Sequence, residues 1–95
     1  MTIHRNYTCT SPVGFTARDA ALIVKIVKES ASIVAIEAKG ATHNGGQLLD
    51  LLSMSVEHRD SVHVSAEGPD AYHVVEAVGA VFYKETTDKL ASQAG

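Results

Sequence analysis

Apolar and polar positions alternate along residues 3 to 9, with Ile3, Tyr7 and Cys9 on one side and His4, Asn6 and Thr8 on the other. That period of two predicts a half-buried strand, ended by Ser11-Pro12. After a turn at Gly14 the period changes: Ala20, Ile23, Val24 and Val27 share one face, and Lys25, Lys28 and Glu29 fall mostly on the other, which predicts an amphipathic helix over about 17 to 29. Ile33 to Ala38 reads as a second strand stopped by Lys39-Gly40, and Ala41-Thr42-His43 returns as a short third strand. Asn44-Gly45-Gly46 breaks the chain before Leu48, Leu49, Leu51, Leu52 and Met54, a short and strongly apolar helix over about 47 to 54. Ser61 to Glu67 alternates again, with Val62, Val64 and Ala66 inward, as a fourth strand. Gly68-Pro69-Asp70 turns the chain into a third helix over about 70 to 84, carried by Val74, Val75, Val78, Val81 and Phe82. The last stretch, ETTDKLASQAG, is polar and is expected to fray.

The element order is therefore βαββαβα. Three amphipathic helices need one common apolar surface, so they are expected on a single face of a four-stranded antiparallel sheet, an α+β open-faced β-sandwich. With 95 residues, 45% of them hydrophobic, and no Pro/Gly/Ser-rich linker, the chain reads as one domain over 1–95. No internal repeat is visible.

Charge narrows the function. Eight basic residues against eleven acidic ones, interspersed, give a net charge of −3, which lacks the footprint of a nucleic-acid binder. No apolar run is long enough for a signal peptide or a membrane span, so a soluble, cytoplasmic protein is expected. Cys9 is the single cysteine, which excludes an internal disulfide and reads as a buried thiol.

The stretch VGFTARDA, residues 13 to 20, places a turn glycine and Arg18 at the start of a helix, where unpaired backbone N–H groups and the helix dipole favour an anion. The same residues also spell a capping box, with Thr16 and Asp19 satisfying each other's backbone N–H; this reading is preferred, because Asp19 would then compete with any external anion.

Across nearly the whole chain, three stretches resemble the histidine-containing phosphocarrier protein family, HPr, of the bacterial phosphoenolpyruvate-dependent sugar phosphotransferase system. TSPVGFTARDA is similar to that family's T-S-P-V-G-L-H-A-R-P-A. KGATHNGG precedes a short helix, and LLSMSVEHRDSVHVSAEGPD is similar to M-S-L-G-V-x-x-G-x-x-I-x-I-x-A-x-G-x-D, with no gap from residue 7 to 70. The resemblance implies the open-faced sandwich and a protein that exchanges phosphate between enzyme I and enzyme IIA. It also places Thr16 where the family carries its phosphorylated histidine, Arg18 at the family's anion-binding arginine, and Gln47 where many members carry a regulatory phosphoserine. Asp19 replaces the usual proline.

These departures change the expected chemistry. A phosphocarrier needs a nucleophile whose phosphorylated form transfers readily, as an imidazole's labile P–N bond does; a threonine hydroxyl gives a stable ester instead. No catalytic residue, cofactor or metal is therefore assigned, and the chain is not read as an enzyme. What the family pattern retains is apolar: Phe15, Leu48 and Leu52 are expected to be exposed on a protein-docking surface with Thr16, Arg18 and Gln47 around them. The leading expectation is an HPr-like protein that binds partners of the phosphotransferase system or a regulator without carrying phosphate. One alternative is a working phosphocarrier. Another is a small-anion or metal-binding module, centred on Thr16 and Arg18 or on His4 and His63, which share the outward side of strands expected to be neighbours. His43, His58 and His73 read as ordinary surface or half-buried side chains. The expected state is a monomer, or a dimer that swaps the first strand about the SPVG connection.

Overall fold

The computed structural model describes residues 1–83; residue 84, the expected end of the third helix, and the polar tail lie outside them. Seven elements follow in the expected order: β1 (Thr2–Thr8), α1 (Ala17–Lys28), β2 (Ile33–Ala38), β3 (Ala41–Asn44), α2 (Leu48–Leu52), β4 (Ser61–Glu67) and α3 (Ala71–Phe82). The strands form one antiparallel sheet in the order β1-β4-β2-β3. In register, β4 sets Val64 opposite Arg5 of β1 and opposite Ile36 of β2. Alternation then puts Val34, Ile36, Ala38, Val62, Val64 and Ala66 on the buried face, beneath Ile23 and Val27 of α1 and Val74, Val75 and Val78 of α3. The other face stays open. The α+β open-faced sandwich expected from the pattern is the architecture of the chain.

Element ends differ from the expectation by a residue or two, for local reasons. Cys9 falls just past β1, where its N–H reaches Asp60 O and its carbonyl accepts from Arg59 N; the thiol is buried as expected. Glu29, Gln47 and Asp70 serve as cap residues instead of helical ones. Largest is the change in α2. Ser53 and Met54 close the helix with i to i−3 bonds to Asp50 O and Leu51 O, so Met54 lies beyond the helix and turns into the core.

One contact fixes how β1 meets α3. The Tyr7 ring lies directly over Gly79 of α3, filling the space a Cβ would occupy, and its hydroxyl donates to Val75 O at 3.2 Å. The burial of that ring pushes the phenol above its ordinary value. Glycine in a helix interior costs stability relative to alanine, and here the cost is offset by seating an aromatic ring against bare backbone.

Candidate functional site

Three segments build the surface around Thr16. The first is the turn before α1. Gly14 adopts φ +78°, and a Cβ there would come within 2.8 Å of Val56 O, so only glycine fits. This close approach lets Phe15 N donate to Val56 O at 2.9 Å, which ties the turn to the loop after α2. The second segment is that loop, and the third is α2 itself.

At the head of α1 the capping box is formed. Asp19 N donates to Thr16 Oγ1 at 3.2 Å, Thr16 N donates to Asp19 Oδ2 at 3.0 Å, and Thr16 has the extended backbone of an N-cap. Asp19 is 5% exposed and is the one buried charged residue among the described residues. A carboxylate tolerates such burial when N–H donors and the positive end of a helix face it. Its negative charge therefore occupies the position from which a helix start would otherwise attract an anion. Arg18, the next residue outward, is exposed.

The apolar residues divide differently from the expectation. Leu48 and Leu52 are exposed, at 41% and 45%, but Phe15 is only half-buried: its ring packs in near-parallel contact on Phe82, with centroids 5.2 Å apart. Leu49, at 80%, is the most exposed of the group and was missed. The signal was available in the spacing. Leu51 and Met54, three apart, both point inward, and Leu49 lies about 200° around the helix from Leu51. Gln47 is exposed at the N-cap of α2 and its side chain makes no capping bond.

Asp50 anchors the inner side of α2. It accepts from Asn44 N at 2.9 Å and meets His43 Nδ1 at 2.8 Å, and these partners, the backbone N–H first, hold its carboxyl below the ordinary carboxylate value. His43 is thus half-buried and engaged, whereas His58 and His73 are exposed. His4 and His63 do come together on the open face, 3.1 Å apart. No third donor completes a metal cluster: among the described residues no group of three His, Cys, Asp or Glu is arranged to hold an ion. Nor is any helix there long and apolar enough to cross a membrane.

Comparison with known proteins agrees with this architecture. A family model described as the PTS HPr component phosphorylation site matches residues 3–84. The phosphocarrier protein HPr of Mycoplasma pneumoniae is 28% identical over 74 residues, covering 77% of this chain and 84% of that protein. Among solved structures, HPr from Bacillus anthracis superposes with a TM-score of 0.79 at 25% identity, over 85% of this chain and 96% of that one. The Bacillus subtilis catabolite repression protein Crh, described as a dimer with a swapped domain, gives a TM-score of 0.68 at 29% identity, over 80% and 87%. Sheet order, the turn before α1 and the match from residue 3 to 84 together make this chain a member of the HPr family of the phosphotransferase system.

Proposed function

We propose that this HPr-family chain is a docking or regulatory protein of the phosphotransferase system that does not carry phosphate as phosphohistidine. The observation behind the reading is the closed capping box: the family's histidine position holds Thr16, whose hydroxyl accepts the Asp19 N–H, with the Asp19 carboxylate beside it. A hydroxyl so engaged, beside a carboxylate that already accepts the Thr16 N–H, is a weak nucleophile, and its ester is a poor phosphoryl donor. Asp19 adds charge repulsion against an incoming phosphoryl group. The docking surface in this reading comprises Phe15, Thr16, Arg18, Gln47, Leu48 and Leu52, joined by Leu49; apolar side chains rimmed by polar ones suit a protein partner from the same system. It works in the cytoplasm, is not itself an enzyme, and is a monomer or, as described for Crh, a swapped dimer.

Incubation with phosphoenolpyruvate and enzyme I, followed by intact mass at neutral and acid pH, tests the reading. The mass is expected to stay unchanged, while the double variant Thr16→His, Asp19→Pro gains one acid-labile phosphate. An acid-labile phosphate on the unaltered chain would instead make it a working carrier, and mutation of each histidine would locate the acceptor.

A further inference from the structure

The open face of the sheet carries two imidazoles that the docking reading does not use. Register pairs Asn6 with His63 and His4 with Ser65, so His4 and His63 are diagonal neighbours on adjacent strands. Their contact is tip to tip. His4 Nδ1 and His63 Nε2 are 3.1 Å apart and the ring centroids 5.3 Å. Each nitrogen sits one ring radius from its centroid, so this is close to the largest centroid separation that such a contact permits, and both nitrogens must lie near the line joining the rings. His63 Nδ1 donates to Asn6 Oδ1 at 2.7 Å, which leaves Nε2 as the lone pair facing His4.

The geometry points to a two-coordinate site for a monovalent d10 cation, Cu(I) or its redox-stable counterpart Ag(I), held linearly between His4 Nδ1 and His63 Nε2. Divalent zinc needs four donors, at least three of them from the protein, and the described residues do not assemble three. Linear coordination needs only two donors aimed at one another, and imidazole suits copper. With metal–nitrogen bonds of about 2.0 Å, the nitrogens must move apart by roughly 1 Å from their hydrogen-bonded spacing. His4 is exposed and His63 half-buried, so side-chain rotation on the sheet surface supplies that movement. The hydrogen that His4 Nδ1 donates in the pair passes to its Nε2 through solvent, so both ligands bind neutral and no net proton is released. The bond from Asn6 fixes the His63 tautomer, as outer partners of metal-bound histidines do. Glu37, directly across from His63 on β2, adds negative charge to the same face.

Titration of the chain with Ag(I), read from the 15N shifts of the imidazole nitrogens, tests the site; Cys9→Ala, run in parallel, removes the buried thiol as a competitor. One equivalent should saturate the site and move His4 Nδ1 and His63 Nε2 together. His4→Gln and His63→Gln should each weaken binding at least about tenfold, Asn6→Ala should weaken it by roughly 10-fold, and Zn(II) should bind more weakly than Ag(I). The assignment is overturned if one equivalent leaves both nitrogens unmoved, if either histidine variant binds unchanged, if binding disappears with Cys9, or if Zn(II) binds more tightly. The wild-type shifts decide the matter even where a variant folds poorly.

Discussion

Arg59 holds φ +77°, in the left-handed region, while its N–H donates to Cys9 O at 2.7 Å. The HPr pattern carries glycine at this position, and the reason is steric: a Cβ in that region costs roughly 1–2 kcal/mol. Glycine would remove the strain but add unfolded-state freedom worth about 0.5–1 kcal/mol. Arg59→Gly is therefore expected to stabilise the fold by about 0.5–1 kcal/mol, measured as a raised urea midpoint with an unchanged slope; a lowered midpoint would show that the arginine side chain contributes more than its backbone costs. Residue-scale features were legible where they depend on neighbours in the chain. Thr16 and Asp19 form the capping box their spacing spells, a contact worth on the order of 1 kcal/mol. Phe15 was read as exposed because nothing near it in sequence announces Phe82, which covers one side of its ring.

Between elements, three aspartates act as ties. Asp50 joins α2 to β3 through Asn44 N–H and His43, Asp60 accepts from Glu57 N and pairs with Lys39 of the β2–β3 turn at 3.3 Å, and Asp70 binds the Ser32 hydroxyl and Ala31 N–H, linking α3 to the turn before β2. Each carboxyl is held below the ordinary value of 3.8 by those donors: Asn44 N–H ahead of His43 for Asp50, Glu57 N–H for Asp60, and the Ser32 hydroxyl ahead of Ala31 N–H for Asp70. Because the folded values are depressed, the stabilisation is complete above pH 3.8 and disappears as pH falls through the lower folded values. Urea midpoints at intervals from pH 6 to 2 should therefore fall mainly in the acid half of that range, and Asp50→Asn and Asp70→Asn should flatten the decline; a decline unaltered in both variants would refute the ties. The seat of Tyr7 on Gly79 gives a second test. Gly79→Ala should destabilise the wild type by roughly 1–3 kcal/mol through overpacking, yet stabilise a Tyr7→Ala background, where helix propensity alone acts. Equal effects in both backgrounds would mean the ring does not rest on the glycine. The periodicity of β1 and α3 showed that both elements exist, but neither this seat nor the His43–Asp50 contact could be read from it, since each depends on how packed elements approach.

For the molecule as a whole, element order and alternation were enough to give the open-faced sandwich, because three helices with one apolar face each leave few ways to cover a small sheet. Sheet order is less local. β4 is central and pairs with both β1 and β2, although residue 61 comes long after either of them. This order has a consequence for synthesis. On the ribosome β1 emerges first and has no pairing partner until β4 has been made; at ~5–20 residues per second the wait is on the order of several seconds. The β2–β3 hairpin can close meanwhile, but the strand bearing His4 and Tyr7 cannot. During that interval a neighbouring nascent chain that has already completed its β4 and α3 offers β1 the same register and the same glycine seat. Whether the strand finds its own chain or another's is then decided by the crowding of growing chains, before the finished protein meets any partner.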